Sequence, residues 1–385
     1  MRVFNMVLFG WSKGLPADVI VGQPGSYPLS NQYFDPVEGQ RILQEFMEQI
    51  ELCDVAGFDG VNMQEHHGNG AFCAFVPSTT VMAAAISQRT KNLKIAVTGT
   101  CLPLHNPISI AEEVAMVDHL CQGRLIWGAL RGFPNEYLAY SINPAESQAR
   151  FREAFELIVK IWTTVGPASF DGRYYRARNY NIWPRTLQQP YPKVWMACNS
   201  MDSIDFAVET RSYVMTPWVP SRQAEKVYEA YRELAARRAI APPADFDDMF
   251  AGISAVYCAA TDEQARAECE EHLRNHFSTA LAAFDSDTTS LIPGHMSPLG
   301  LRTWLGATTG KSGHSLVLDF DEAIEAGNLI VGSPATCVEL IRRLRTVGKH
   351  GTMLSMFQFG TLPHQLAMKS IGLFGREVIP AIKGI

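Results

Sequence analysis

Short apolar runs alternate along the chain with longer amphipathic patterns. The first run, at 3–9, is apolar apart from Asn5, which predicts a strand that is buried on both faces. Similar runs predict strands at 59–64, 94–102, 125–132, 194–198, 213–217, 252–259 and 352–359. Each run is followed by at least one helical pattern, so the chain repeats a unit of strand, turn and helix.

The helix that follows the third predicted strand has the clearest boundaries. Asn106 is a typical N-cap residue, and Pro107 fits the first helical position, where no backbone N–H is needed. Ile110, Val114 and Val117 then recur at helical spacing and predict one apolar face. The same reasoning predicts the other helices at 35–57, 76–89, 146–164, 201–210, 221–239, 261–284, 334–347 and 363–378.

Strands that alternate with helices predict a parallel sheet, because parallel strands need crossover connections. Eight such units favour a closed (β/α)8 TIM barrel, whereas an open Rossmann-type sheet would carry a G-x-G-x-x-G turn, and the chain has none. No linker divides the chain, so we expect a single domain over 1–385. A barrel needs about 250 residues, so the surplus predicts insertion loops at its C-terminal face, at 10–35, 133–145, 166–192 and 285–333. The glycine-rich insertion 285–333 is expected to act as a lid.

The composition narrows the class of protein. Of the 385 residues, 47% are apolar and 19% are charged, as is typical of a globular enzyme. A formal net charge of −6 argues against nucleic acid or an anionic membrane as a partner, and no apolar run reaches the roughly 18 residues that span a bilayer. The eight cysteines include no C-x-x-C pair, which predicts a reducing, cytoplasmic location.

Polar residues gather where the predicted strands end, and TIM barrels hold their active sites at that edge. Glu65, His66 and His67 follow the second strand. Because neighbouring side chains at a strand end point to opposite sides, these three are not expected to hold one metal ion, and we predict no metal site. His66 can exchange protons near neutral pH. Glu65 is open to two interpretations, a direct catalytic role or a structural role as partner of Arg131 or of a neighbouring strand.

The other strand ends favour an anion and a flat ring. Asn199 and Ser200 end the fifth strand and open a helix, so backbone N–H groups and the helix dipole face the mouth. Arg131 adds a cation whose planar fork matches a phosphate. Gly99, next to Thr98, is a position at which a flat ring could approach the backbone.

Several motifs together resemble the bacterial luciferase-like flavin monooxygenase family. They are EHH at 65–67, LPLHNPISIAEEVAMVDHLCQGRLIWGALRG at 102–132, QQPYPKVWMACNS at 188–200, and two C-terminal segments at 332–344 and 353–380. The match covers most of the chain, and the succession of motifs is more specific than any one of them. The resemblance implies a TIM barrel that binds reduced FMN at its C-terminal mouth.

The resemblance further implies a two-component monooxygenase. A separate flavin reductase would bind transiently and supply reduced FMN, dioxygen would be the co-substrate, and a peroxyflavin would oxygenate a small organic substrate. His66 would lie beside the flavin and assist the peroxyflavin, with Glu65 as the second catalytic residue. Thr98-Gly99 would pack under the isoalloxazine, often as a non-proline cis bond. The FMN phosphate would be held by Arg131, Asn199 and Ser200.

Two positions depart from the luciferases themselves. Leu130 stands where they have a cysteine, and Cys198 stands where they have an acid, so light emission is not implied. The wider family also includes deazaflavin-dependent oxidoreductases that transfer hydride, which is the alternative function. Aromatic residues in the loops after the first two strands either line an apolar or aromatic substrate pocket or pack those loops on the barrel. We expect a homo-oligomer, either a dimer or a tetramer.

Overall fold

Eight parallel strands form a closed barrel in the computed structural model, which describes residues 1–8, 10–11, 30–68, 70, 75–283 and 319–385. Their order around the barrel is β1, β2, β3, β4, β7, β8, β9 and β11, and pairing between β11 and β1 closes it. These eight strands are β1 Arg2–Val7, β2 Gly60–Met63, β3 Lys94–Cys101, β4 Leu125–Leu130, β7 Lys193–Ala197, β8 Tyr213–Thr216, β9 Ala251–Cys258 and β11 Thr352–Met356. The predicted TIM barrel is therefore confirmed, with all eight strands near their predicted positions.

Helices cross over between the strands and cover the outside of the barrel. They are α1 Pro36–Val55, α2 Thr79–Arg89, α3 Pro107–Leu120, α4 Pro134–Ala139, α5 Ser147–Thr163, α6 Met201–Glu209, α7 Ser221–Arg237, α8 Phe246–Met249, α9 Asp262–Ala283, α10 Phe320–Ala326, α11 Pro334–Gly348, α12 His364–Leu373 and α13 Ile379–Ile382. A π-helical turn, Phe374–Val378, joins the last two. No helix in the described part of the chain is both long and apolar enough to span a membrane.

The helix starts follow from local capping. The Asn106 side chain accepts a hydrogen bond from the backbone N–H of Ile108 at 2.9 Å, and Pro107 is the first helical residue of α3. In the same way, the Asp35 side chain accepts a hydrogen bond from the backbone N–H of Val37 at 2.8 Å, and Pro36 is the first helical residue of α1. Both predicted helix starts are therefore confirmed. Because helices run back antiparallel to the strands, these N-termini lie at the C-terminal mouth of the barrel.

Three strands were not predicted. β5 Ala168–Asp171 and β6 Arg176–Tyr180 form an antiparallel hairpin inside the insertion 166–192. β10 Leu329–Gly332 pairs in parallel with the second half of β9, from Leu329 opposite Ala255 to Gly332 opposite Cys258. The C-terminal part of the predicted insertion 285–333 thus holds α10 and β10, and β10 lies outside the ring of eight barrel strands, against β9. Residues 285–318 lie outside the described residues, and their role as a lid stays a prediction.

A buried histidine lies at the N-terminal end of the barrel, directly ahead of β11. The His350 ring stacks on Phe250 with 5.3 Å between centroids, and its Nε2 lies 3.2 Å from Thr216 Oγ1. Burial lowers the pKa of His350 to about 4, and the charge of Arg345 acts in the same direction. The unfolded chain therefore binds this proton more readily than the folded protein, so stability is complete above the ordinary pKa of 6.5 and is lost as the pH falls toward 4.

We predict that His350 makes the protein sensitive to mild acid. Between about pH 7 and pH 5 this group alone should lower the free energy of unfolding by roughly 2 kcal/mol, from ~1.36 kcal/mol per pKa unit. His350→Gln should lose that part of the pH dependence, and His119→Gln, at an exposed site on α3, should keep it. Urea unfolding of the three proteins at both pH values measures the difference. The same pH dependence in the wild type and His350→Gln would contradict the assignment.

Candidate active site at the C-terminal mouth

The predicted site residues all lie at or just beyond the C-terminal ends of barrel strands. Glu65 and His66 follow β2, Thr98 and Gly99 lie near the end of β3, Arg131 follows β4, and Asn199 and Ser200 follow β7. The structure brings Glu65 against β3, where its backbone N–H faces Gly99 O at 3.4 Å. Among the described residues, no hydrogen bond or ion pair joins Asn199 or Ser200 to Glu65, His66, Thr98, Gly99 or Arg131. The strand ends thus form one rim. The side chains that follow β2 belong to two hydrogen-bond networks, one around Glu136 and one around Glu65.

His66 points toward α4 and is held there by Glu136. Both side chains are buried, and His66 Nδ1 lies 3.2 Å from Glu136 Oε1. The same oxygen accepts the backbone N–H of His67 at 3.0 Å, and Glu136 Oε2 accepts the N–H of Phe133 at 2.6 Å. Since a carboxylate accepts and the imidazole must donate, Nδ1 carries a proton in this contact, and Nε2 points away from Glu136.

Glu136 is the functional residue that the sequence interpretation missed. It lies in the segment 133–145, which was predicted as an insertion with no helix assigned to it, and the structure has α4 there. A signal was available, since Pro134 suits the first helical position and Glu136 follows as the third, the position from which a glutamate accepts the N-cap N–H. Tyr137 on the same helix donates to the carbonyl oxygens of Arg131 and Gly132 at 2.7 and 3.0 Å. The helix thereby fixes the end of β4.

We predict that Glu136→Gln destabilises the protein although it changes little in volume. Glu136 uses both oxygens as acceptors, and an amide would face one of the buried N–H groups with a second donor. An unsatisfied buried donor costs about 1–3 kcal/mol. Chemical unfolding measures the loss. Glu156→Gln, in an exposed ion pair with Lys160, serves as control, because an exposed pair contributes only about 0–1 kcal/mol. An equally small effect for both variants would refute the buried network.

On the other side of the β2 end, Glu65 joins two histidines. Glu65 Oε1 lies 3.0 Å from His67 Nε2 and 2.7 Å from His105 Nε2, and it also faces the N–H of Cys101 at 3.3 Å. Tyr140 Oη lies 2.9 Å from His67 Nδ1. The interpretation of Glu65 as a partner of the neighbouring strand is therefore confirmed, since Cys101 ends β3. Its direct catalytic role stays a prediction.

Glu65 and Glu136 shift the pKa values of groups that lie next to them. Burial opposes the charged form of Glu65, but hydrogen bonds from His105 and His67 outweigh it and lower the pKa of the carboxyl group. Burial likewise opposes the charged form of His105, and the contact with Glu65 reverses this and raises its pKa. Burial and both carboxylates raise the pKa of the Cys101 thiol, which lies 3.6 Å from Glu65 O and 3.8 Å from Glu136 Oε2. The thiol therefore stays protonated between the two networks.

The peptide bond between Thr98 and Gly99 is cis, as predicted. The reason inferred for the glycine was incomplete. A Cβ at Gly99 would lie 2.5 Å from the carbonyl atoms of Gly128 in β4, so the close approach of a neighbouring strand already excludes any other residue. Thr98 donates its hydroxyl hydrogen to Asn62 Oδ1 inside the barrel. The Nδ2 of Asn62 is buried without a partner in the described part of the chain.

The cationic and helix-terminal groups of the rim remain available for an anion. The half-buried Arg131 forms no ion pair and no side-chain hydrogen bond with any residue that the structure describes. Ser200 is the exposed N-cap of α6, and its hydroxyl accepts the N–H of Ser203 at 3.3 Å. The next two N–H groups, of Met201 and Asp202, cannot be satisfied within the helix. Asn199 is exposed beside them.

A family model described as luciferase-like monooxygenase matches residues 26–351. The chain belongs to the luciferase-like monooxygenase family. A curated relative is the FMNH2-dependent dimethylsulfone monooxygenase of Pseudomonas putida, 25% identical over 339 residues, which are 86% of each chain. Another is the oxygenase component of the flavin-dependent trigonelline monooxygenase of Acinetobacter baylyi, 30% identical over 172 residues, 43% of this chain and 47% of that one.

Solved structures share the fold of this chain. The oxygenating constituent of the 3,6-diketocamphane monooxygenase of Pseudomonas putida, in complex with FMN, superposes with a TM-score of 0.71 at 19% identity, covering 99% of both chains. An F420-dependent secondary alcohol dehydrogenase, in complex with an F420-acetone adduct, superposes with a TM-score of 0.66 at 17% identity, covering 88% of this chain and 95% of that one. The fold of this chain is thus similar to one protein solved with FMN and to another solved with an F420 adduct.

Proposed function

We propose that this luciferase-like protein is a monooxygenase that uses reduced FMN and dioxygen to oxygenate a small apolar or aromatic organic substrate. The observation that carries the proposal is the rim of the barrel, where the N-terminus of α6 and the Arg131 guanidinium, which has no ion-pair partner among the described residues, lie at the same mouth as the buried His66. Relatives named as FMNH2-dependent and as an oxygenase component support the same chemistry. Reduced FMN, when bound, supplies the electrons that activate dioxygen.

The donor set suits the proposed cofactor. A flavin phosphate needs a cation and backbone N–H groups that bind an anion. Arg131 offers the cation, and the first turn of α6 offers the N–H groups. In this proposal Arg131, Asn199 and Ser200 hold the phosphate, and the Thr98-Gly99 bond lies under the ring system. Gly132, which follows Arg131, has a φ of 97°, and a Cβ there would approach Glu136 Oε2 to 3.0 Å. The backbone after β4 is therefore shaped to leave Arg131 at the rim.

His66 is proposed as the residue that moves a proton during the reaction. Glu136 fixes its Nδ1 and so orients Nε2 in the mouth, which is the arrangement that a general acid or base requires. Glu65 acts in this proposal as a positioning residue, because it holds His67 and His105 on the far side of the β2 end. Burial of His66 also keeps bulk water from the proton that it handles.

The alternative is a deazaflavin-dependent oxidoreductase that transfers hydride on the same barrel. The superposition with the F420-dependent dehydrogenase supports this alternative. A binding titration distinguishes the two. Reduced FMN and a reduced deazaflavin are each titrated under anaerobic conditions, followed by oxygen-electrode measurements. The monooxygenase is expected to bind reduced FMN more tightly and then to consume dioxygen. Preference for the deazaflavin, with no dioxygen uptake, would favour the alternative.

The name of the Acinetobacter relative, an oxygenase component, supports a further part of the proposal. We infer that a separate flavin reductase supplies reduced FMN by transient contact. Assembly into a dimer or tetramer and a cytoplasmic location stay predictions.

A further inference from the structure

Three side chains at the rim form a metal-binding donor set, to which the proposed function assigns only a positioning role. Glu65, His67 and His105, called the His–Glu cluster below, offer one carboxylate oxygen and two imidazole nitrogens that lie within 4.8 Å of one another. Glu65 Oε1 is 3.0 Å from His67 Nε2 and 2.7 Å from His105 Nε2. Both imidazoles thus present the same nitrogen to the same oxygen.

This donor set is typical of a transition-metal site. Two histidines and one carboxylate, with open positions for water, bind zinc and other divalent first-row metals. Around a tetrahedral zinc with bonds of 2.0–2.1 Å, ligand atoms lie about 3.4 Å apart. The two separations from Glu65 Oε1, 3.0 and 2.7 Å, are shorter than that value, so His67 and His105 would have to move slightly outward to admit an ion. Because Glu65 and His67 are two positions apart, they share one side of the chain, and His66 between them faces Glu136 instead.

The surroundings of the cluster support ligation. Tyr140 Oη lies 2.9 Å from the Nδ1 of His67, the contact that orients a metal-binding histidine through its second nitrogen. The backbone N–H of Cys101 fixes Glu65 from the side of β3 at 3.3 Å. Glu65 itself is buried, whereas His105 is 27% exposed, which gives an ion a route from solvent.

We propose that Glu65, His67 and His105 form a binding site for one divalent transition-metal ion, with Zn²⁺ as the probe. The ion would join the loop after β2 to the turn after β3, adding to the contacts that Glu65 already makes with His105 and Cys101. This proposal departs from the prediction of no metal site, which did not consider His105 as a ligand beside Glu65 and His67. The site does not depend on the proposed oxygenation.

Calorimetric titration of the chelator-treated protein with ZnCl2 tests this site. One Zn²⁺ per chain should bind to the wild type, and His105→Ala should weaken binding by at least about 100-fold, since loss of a ligand should exceed the 10–100-fold effect of losing an outer contact. Tyr140→Phe should weaken it by about 10–100-fold. His119→Ala, which removes an exposed histidine of α3, should bind zinc like the wild type. Circular dichroism establishes that each variant is folded.

Two results would overturn the proposal. One is a wild-type affinity no tighter than about 1 mM, which corresponds to only ~4 kcal/mol. The other is stoichiometric binding that persists unchanged in folded His105→Ala, because the ion would then occupy a different site. A thermal unfolding temperature that rises with zinc in the wild type and not in His105→Ala would support it independently, because a ligand that binds only the folded state stabilises it.

Discussion

His66→Ala is expected to release hydrogen peroxide where the wild type releases oxygenated product. The imidazole is buried at the mouth and is the proposed proton-transfer group, and general acid–base help of this kind accelerates a step by roughly 10²–10⁴-fold. The variant should still bind reduced FMN and consume dioxygen, because the proposed phosphate ligands, Arg131, Asn199 and Ser200, are other residues of the rim. Product and peroxide are quantified after chemically reduced FMN, dioxygen and candidate substrates are supplied.

His119→Ala serves as the control for this experiment, since it removes an exposed imidazole near the C-terminal end of α3. That end lies at the opposite face of the barrel, so the control should divide product and peroxide as the wild type does. If His66→Ala also divides them as the wild type does, His66 has a structural role only, as a partner of Glu136.

Arg131→Ala should weaken the binding of FMN by about 10- to 150-fold, because a charge-assisted hydrogen bond contributes roughly 1.5–3 kcal/mol. The fold should remain intact, since the guanidinium has no partner to lose among the described residues. Arg131→Lys should retain part of the affinity, because an ammonium keeps the charge without the planar fork. Fluorescence titration of FMN measures all three affinities.

Arg89→Ala is the corresponding control. Arg89 ends α2 at the opposite face of the barrel and pairs with Glu51 at the surface, so its loss should leave the FMN affinity unchanged. Equal affinity of wild type and folded Arg131→Ala for FMN would remove Arg131 from the phosphate site.

The barrel could be predicted from the sequence because its strands are buried on both faces and read as apolar runs. The helix starts followed from capping residues such as Asn106 and Asp35, whose side chains satisfy N–H groups locally. β10 was not predicted because its four residues, Leu329–Gly332, are too few for the apolar pattern to distinguish a strand from a loop. Its place against β9 depends on tertiary pairing alone.

The site was predicted less completely than the fold. His105 lies 38 positions after His67, and only the adjacency of β2 and β3 brings the two side chains to one carboxylate. Glu136 lies in a helix of six residues, too short for a periodic pattern. Gly99 was predicted correctly as a special position, but its close contact with the Gly128 backbone, which already requires a glycine, was not predicted. Contacts between distant segments were therefore the missing information.

The measurement that tests the proposed function most directly is incorporation of labelled oxygen. The protein is supplied with chemically reduced FMN, isotopically labelled dioxygen and a panel of small apolar and aromatic compounds, and the products are analysed by mass spectrometry. A monooxygenase should place one atom of labelled oxygen in a product, only when reduced FMN is present. Turnover of the same compounds with a deazaflavin and without dioxygen, while reduced FMN yields no labelled product, would contradict the proposed function.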